Sequence, residues 1–481
     1  MNLISTFLEM ARSAGQRVAI VSGAGEAIGF SELALRSGRL AATWRAKGVR
    51  QGDRVLVAMP VGIDLYTAIA ALWRLGAVVV FPEPAMGAGG VRRAVEIAQP
   101  RALLTTGLYR LLPLLVPGLF NVALRLGMDL DATGDPLEDV SAEHPALISF
   151  TSGSTGRPKG IVRSHGFLAA QNAALHDLIA PRRDDETDLV AFPVFVIANL
   201  ALGITSVLPN WRLSRHDQAG AVEIARHAAA HRVTRALLPP SICEVVAAGD
   251  GPLALDTLFT GGGPVFPDLL ERLASRLPAT RIVSVYGSTE AEPIAHQVMQ
   301  DISAAQWAAM KRGSGLLAGR PIAGLGLKLL DGEIVVTGAH VNKSYLGGVG
   351  DTDNKLVIDG EVWHRTGDAG HRDAEGFLWL RGRLSGRAGN FYPFELETAA
   401  RFWPGVRHAA LVPSEIPPLL ALEGNEPHRG AWRKAADALG TVNIVAVKIP
   451  LDRRHRSKVD YVKLRKRVGT KRASTALSPP A

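Results

Sequence analysis

The 481-residue chain has a single cysteine, Cys243, which excludes an internal disulfide and a multi-cysteine metal site and suits a reducing cytoplasm. Aromatic residues are scarce at 6%, while hydrophobic residues at 47% and charged residues at 21% give ordinary globular composition rather than disorder. The start, MNLISTFLEMARSAGQRVAI, lacks a basic segment leading into an apolar run and a small-residue cleavage site, so no signal peptide is expected. Uninterrupted apolar runs are missing too. A membrane-crossing helix takes about 20 mainly apolar residues. Ala68 to Phe81 is broken by Arg74 and reads as a buried helix followed by a strand. Leu111 to Met128 carries Pro113, Pro117, Asn121 and Arg125 and reads as a packed or surface amphipathic segment, with peripheral membrane contact as its one lipid-facing alternative.

Acidic residues run short near the C-terminus. Ten Lys/Arg and two Asp lie between Asp452 and Arg472, which is almost the whole net charge of +9. Such a cluster suits an acidic carrier protein, anionic lipid or solvent. It has only Tyr461 as an interleaved aromatic, so a nucleic-acid reader that stacks bases is not expected.

Buried strands alternate with helical stretches through most of the chain: Val55-Leu-Val-Ala-Met59, Ala77-Val-Val-Val-Phe81, Ala102 to Thr106, Leu147 to Phe150, Ala236 to Leu238 and Arg281 to Val285. That rhythm predicts an α/β fold with a large N-terminal domain of stacked, mostly parallel sheets. From about Gly326 short strands between Gly and Asp turns predict a small β-rich region. A boundary is expected between Arg383 and Gly389, dividing the chain into residues 1–384 and a small α+β domain, 385–481, with a basic tail.

The strand Leu147 to Phe150 runs into Thr151-Ser152-Gly153-Ser154-Thr155-Gly156 and then Lys159. Glycines let the backbone approach a ligand closely, successive N–H groups and hydroxyls surround phosphate oxygens, and the lysine adds a cation. A P-loop is excluded, because Pro158 stands where its second glycine belongs and Gly160 where its Ser or Thr belongs. A nucleophile elbow fails as well, since Ser154 follows Gly153 directly.

Thr151-Ser-Gly-Ser-Thr-Gly-Arg-Pro-Lys-Gly160 resembles the signature of the adenylate-forming superfamily of acyl-CoA synthetases, luciferases and nonribosomal adenylation domains, and the resemblance runs from about residue 20 to about residue 468. It implies an enzyme that uses ATP and Mg²⁺ to activate a carboxylic acid as an acyl-adenylate. By the same resemblance Tyr286-Gly287-Ser288-Thr289-Glu290 follows a strand end: Tyr286 stacks on adenine, Thr289 bonds the α-phosphate and Glu290 helps hold Mg²⁺. Gly261-Gly262-Gly263-Pro264 supplies the adenine pocket, Asp368 accepts from the ribose hydroxyls, and Arg383 contacts ribose or phosphate. In Arg456-Ser-Lys-Val-Asp460, Lys458 becomes the lysine that bridges the attacking carboxylate and the α-phosphate.

Three departures bear on the second half of the reaction. Val196 replaces the histidine of the family's Pro-Leu-Phe-His block, which predicts an altered, apolar acyl pocket for an aliphatic acid. Ser385 stands at a short hinge, where family members rotate the small domain between half-reactions, and the last block, Leu451 to Lys458, lacks the Thr-x-x-Gly-Lys of ordinary acyl-CoA synthetases. Apart from these, His364 replaces the first residue of the family's Tyr-x-Thr-Gly-Asp. The implied acceptor is CoA or a phosphopantetheine carrier protein, as in fatty acid metabolism. Phe192-Pro-Val-Phe195, Asn199 to Pro209 and Asp452-Arg-Arg-His455 also resemble olefin-pathway β-lactone synthetases, in which a substrate hydroxyl displaces AMP. A non-catalytic relative that binds nucleotide or carrier is the alternative of another class.

Overall fold

The computed structural model describes residues 2–82, 86–151, 158–213, 219–413, 415–440, 442–452 and 458–476, the side chains of residues 426 and 471–476 excepted. It is a mixed α/β protein with three sheets. The first has six strands in the order Leu124–Leu126, Ala102–Thr105, Arg54–Ala58, Val78–Phe81, Pro145–Thr151 and Lys159–Ser164. All neighbours are parallel except the last pair, which is antiparallel. Their Val- and Leu-rich runs are covered on both faces, as parallel strands require.

The second sheet has 14 strands and changes character halfway. Thr205–Val207, Thr187–Val190, Arg235–Leu238, Thr257–Gly261 and Arg281–Ser288 run parallel. From Ala291–Val298 onward the ladder is antiparallel, through Leu316–Pro321, Leu378–Arg383, Glu361–Arg372, Glu333–Thr337 and Gly326–Leu330. The β-rich region expected from about Gly326 is therefore continuous with the main sheet. The helix Ile63–Arg74 is buried along nearly its whole length and packs with residues of both sheets. Arg74 is tolerated inside because Ser37 Oγ, the Ala34 carbonyl and Asp135 receive its guanidinium.

The third sheet, Val406–Val412, Leu419–Gly424 and Asn443–Ala446, is packed on one face by Leu396 and Trp432 and on the other by Leu464 and Val468. Leu464 and Val468 are one turn apart on the helix Tyr461–Ala476, whose Lys463, Arg465, Lys466 and Arg467 lie exposed. The helix Pro393–Ala400 touches this sheet through Val406–Val412 and also rests on Ala304–Lys311 and Leu378–Arg383. Arg401 pairs with Asp268 at 3.1 Å, Arg381 with Glu395 at 2.7 Å, and Phe394 meets Phe266 edge-on at 5.9 Å.

Among the described residues no helix is long and apolar enough to cross a membrane. Leu111 to Met128 forms short helical turns and the strand Leu124–Leu126, with Val116 and Leu119 in the core.

A buried ion pair ties the parallel half together. Arg235 meets Asp188 through two bonds of 2.7 and 2.9 Å, both residues at 1% exposure or less, and Asn199 Nδ2 donates to the same carboxylate. Asp188→Ala would leave the guanidinium buried without its main partner. We expect a loss of about 3–5 kcal/mol in urea unfolding at fixed pH, and a loss below about 1 kcal/mol would show that the pair is dispensable.

Candidate active site

The glycine-rich segment connects two antiparallel strands. Thr151 and Lys159 are register partners at the ends of Pro145–Thr151 and Lys159–Ser164, so both ends of the connection are pinned by the ladder. Ser152, Gly153, Ser154, Thr155 and Gly156 lie outside the described residues. Along the second strand Lys159, Ile161 and Arg163 share one face, because side chains alternate. Both cations are buried, Lys159 at 8% exposure and Arg163 at 5%.

Lys159 is received by Tyr345. Its Nζ lies 5.2 Å from the ring centroid, and Lys355 Nζ lies 5.0 Å from the same ring. The Tyr345 hydroxyl donates to Glu290 Oε1 at 3.0 Å, and its backbone N–H donates to Asp351 Oδ1 at 2.8 Å. Gly350 makes the close approach feasible: at φ +98°, a Cβ there would stand 2.8 Å from Lys159 Cε.

Glu290 sits in the turn between Arg281–Ser288 and Ala291–Val298. The turn is held from outside, since Arg163 Nη2 donates to the Thr289 carbonyl at 2.7 Å and the Asn342 N–H to the Glu290 carbonyl at 2.7 Å. Tyr286, on the strand leading in, donates its hydroxyl to Asp368 Oδ2 at 2.8 Å. Burial and the Asp368 charge push the Tyr286 hydroxyl far above its ordinary pKa, so it stays a donor. Arg383 is the register partner of Asp368 and approaches Oδ1 at 3.2 Å, while its Nη1 donates to the Thr366 carbonyl. Gly287 packs against Ala291 and Glu292 of the return strand, and the Ser288 hydroxyl is buried without a hydrogen-bond partner among the described residues. Gly261 ends the strand Thr257–Gly261 so close to Val285 that a Cβ would stand 2.5 Å from its carbonyl oxygen. Gly262, at φ +76°, faces the Phe192 ring, and Gly263 and Pro264 continue the loop.

The residues singled out in the sequence thus fall into two neighbouring groups, Lys159 with Glu290 and Tyr286 with Asp368 and Arg383. Beside them lie His364, the substituted first position of the Asp368 motif, and Lys355, which no motif revealed. Burial pulls the Lys355 pKa down to about 8, partly opposed by Glu290 and Asp351. Its Nζ donates to the Asn342 carbonyl and lies 3.3 Å from His364 Nδ1. Burial, reinforced by Lys355, pulls His364 down to about 4, so the imidazole at this position is neutral at physiological pH. Parity was the available signal for Arg163: two cations two pleats apart on a strand with an apolar middle residue. Tyr345 and Lys355 carried none, because long-range folding brings them in.

An apolar cavity opens beside the same strand ends, lined by Phe192, Phe195, Phe259, Gly262, Val285 and Glu292 among others. Its atom-free space is about 420 Å³ with the open mouth included. Val196 does not line it. The side chain is fully buried in the core with Leu65 and Leu200, while Phe192 and Phe195 of the same block form the wall. The expectation that Val196 itself reshapes the pocket is corrected accordingly. Lys458 lies on the C-terminal segment, exposed, its N–H donating to Asp452 Oδ1 at 3.0 Å.

The donor set fits a nucleotide with a hydrated Mg²⁺ ion better than a protein-only metal cage. Among the described residues no three His, Cys, Asp or Glu converge. Glu290 keeps one carboxylate oxygen beyond the Tyr345 bond, the usual arrangement for Mg²⁺ shared with phosphates and water. Lys159, seated beside Gly350, and the Ser288 hydroxyl, without a partner among the described residues, are polar groups suited to phosphate oxygens.

Residues 7–346 match the family described as AMP-binding enzyme. The olefin beta-lactone synthetase of Xanthomonas campestris is 29% identical over 82% of this chain and 80% of that protein. A feruloyl-CoA synthase of Amycolatopsis is 30% identical over 81% of each. In fold, the chain is similar to the amide bond synthetase of Marinactinospora thermotolerans, with a TM-score of 0.79 and 22% identity over 96% of this chain and 99% of that one. It is also similar to the O-succinylbenzoate coenzyme A synthetase of Bacillus subtilis solved with ATP and magnesium, with a TM-score of 0.75 and 21% identity over 94% and 97%. The family match spans most of the length and takes in the glycine-rich hairpin, the Tyr286 turn and Tyr345, and with it this chain belongs to the AMP-binding enzyme family as an AMP-forming acid ligase.

Proposed function

We propose that the protein binds ATP and Mg²⁺ and joins AMP to an aliphatic carboxylic acid with release of pyrophosphate. The observation that carries this reading is the convergence of Lys159 and Glu290 on Tyr345 beside the Tyr286–Asp368–Arg383 group. Thr151 to Gly156, with Lys159, cradles the phosphates. Gly262, Gly263, Pro264 and Tyr286 enclose adenine, and Gly287 and Ser288 line the turn below it. Asp368 accepts from the ribose hydroxyls while keeping Tyr286 and Arg383 as partners, since a carboxylate has about four acceptor sites. Glu290, together with the phosphates, would hold Mg²⁺, which would supply neutralisation of the charge on the leaving pyrophosphate. Thr289 bonds the α-phosphate. The carboxylate oxygen attacks the α-phosphorus, and Lys458 comes between the two anions to stabilise the charge they share.

The catalytic lysine belongs to a small unit, residues 385–481, joined to residues 1–384 at the short hinge around Ser385. Lys458→Ala should reduce pyrophosphate release by at least ~100-fold, the scale seen when one preorganised charge is removed, while ATP binding, followed by calorimetry, persists. Normal pyrophosphate release from that variant sinks the assignment.

Transfer of the acyl group to CoA or a carrier-protein thiol is the leading second step. Support comes from the CoA ligases among the similar proteins. Closure of a β-hydroxy acyl-adenylate to a β-lactone is the second reading. It is favoured by similarity to the olefin beta-lactone synthetase of Stenotrophomonas maltophilia over 96% of this chain and 97% of that protein. It is also favoured by the contacts of Arg401 and Phe394 with the large unit, which a rotation would have to release. Mass spectrometry of products from ATP, Mg²⁺ and fatty or β-hydroxy acids separates the two. Thioester only with CoA supports the ligase, and loss of water from a hydroxy acid without CoA supports the lactone.

A cytoplasmic enzyme is consistent with Cys243, whose thiol burial pushes up to about 12 and makes inert. The peripheral membrane contact centres on Leu108, Leu111, Leu114, Leu115 and Phe120, each more than half exposed. No acidic residue stands between Glu96 and Asp129, while Arg101, Arg110 and Arg125 do, which suits an anionic surface. Vesicles containing phosphatidylserine should co-sediment the protein, and Leu111→Asp with Leu115→Asp should abolish it. Equal sedimentation of the variant would refute the contact.

A further inference from the structure

The cavity that would hold the acyl chain has one ionisable residue among its described lining, Glu292. Phe192, Phe195, Phe259 and Val285 surround it with apolar surface, and Thr260 is the only other polar side chain of the wall. Glu292 is half-buried on the return strand Ala291–Val298. Its carbonyl accepts from Gln171 Nε2 at 3.1 Å, but no hydrogen bond or ion pair joins its carboxylate to another described residue. Carboxylates in such surroundings normally have partners, because desolvation without one is costly. Arg163 is the nearest cation, but it donates to the Thr289 carbonyl and faces the Phe167 ring at 5.9 Å and makes no hydrogen bond to the Glu292 carboxylate.

We propose that Glu292 is a polar subsite within the apolar cavity, accepting a hydrogen bond from a hydroxyl carried near the carboxyl end of an aliphatic acid. This rests on the adenylation reading above. The position along the chain follows from Gly287, where a Cβ would stand 3.2 Å from Glu292 Cα. Glu292 therefore adjoins the turn that carries Thr289, at the reacting end of the cavity and not at its far end. A neutral hydroxyl suits the site better than an ammonium. Arg163 already supplies the buried positive charge that offsets Glu292, and a second cation would have none left to pair with. The subsite also discriminates in the direction an apolar pocket cannot. Without a hydroxyl to donate to it, the carboxylate is desolvated by the substrate chain with no hydrogen-bond donor, so the plain acid is rejected.

The test compares pyrophosphate release from decanoate, 3-hydroxydecanoate, 10-hydroxydecanoate and 3-aminodecanoate by the full chain and two variants. For the unmodified protein kcat/KM should be at least ~10-fold higher with 3-hydroxydecanoate than with decanoate or the 10-hydroxy acid. Glu292→Leu should bring the 3-hydroxy to plain ratio within ~2-fold of one, and Glu292→Gln, whose amide oxygen still accepts, should keep part of it. An unchanged ratio in Glu292→Leu overturns the subsite while leaving adenylation intact, and so does preference for the 3-amino acid. Absence of pyrophosphate with every acid overturns the adenylation reading and the subsite with it. Should Glu292→Leu fail to fold, the ratio in the near-isosteric Glu292→Gln decides: a value equal to the unmodified protein's refutes the proposal, and a reduced value supports it.

Discussion

One tyrosine ring holds two ammonium groups and a carboxylate in place. Lys159 and Lys355 lie about 5 Å from the face of Tyr345, and the Tyr345 hydroxyl is bonded to Glu290. The arrangement meets a difficult electrostatic requirement. Cations that serve a polyanion must be kept from collapsing onto the nearest acid, yet they cannot be buried unattended. A ring quadrupole attracts them without neutralising them, and the hydroxyl orients the acid with a donor that carries no charge. The Gly350 notch, the Asp351 hold on the Tyr345 backbone and the neutral His364 all follow from making room for that ring and its cations.

Most of the architecture was legible in the sequence. Val55 to Met59 and Ala77 to Phe81 became strands because their apolar runs are too short and too β-branched for anything but a doubly covered sheet. Asp64 to Leu75 became a buried helix despite Arg74, whose charge is met by groups far away in the chain. What stayed hidden was long-range. Nothing local marks Tyr345 or Lys355, and the continuity of the β-rich region with the main sheet depends on the pairing of Ala291–Val298 with Leu316–Pro321. Val196 illustrates the opposite error. A motif position was read as a pocket position, whereas helical periodicity turns Val196 to the core and leaves Phe192 and Phe195 on the cavity side, three residues apart.

The main sheet changes from parallel to antiparallel at the turn between Arg281–Ser288 and Ala291–Val298. Parallel strand ends gather ligands in the crevice outside the sheet. The antiparallel return then carries the chain straight back along the crevice wall, so one short hairpin contributes to the nucleotide side and to the cavity side. Local sequence in this hairpin accordingly holds more of the site than any other stretch of comparable length among the described residues.

That economy constrains how the protein can change. Glu290 and Glu292 stand two residues apart, one joined to Tyr345 and the other in the cavity wall. Exchanging the side chain at 292 leaves the backbone path and the neighbouring carboxylate where they are. Inserting or deleting one residue inverts the faces of the return strand and moves both carboxylates at once. A point substitution at 292 therefore alters the cavity wall alone, while a change of length in the hairpin disturbs the cavity wall and the Tyr345 bond together.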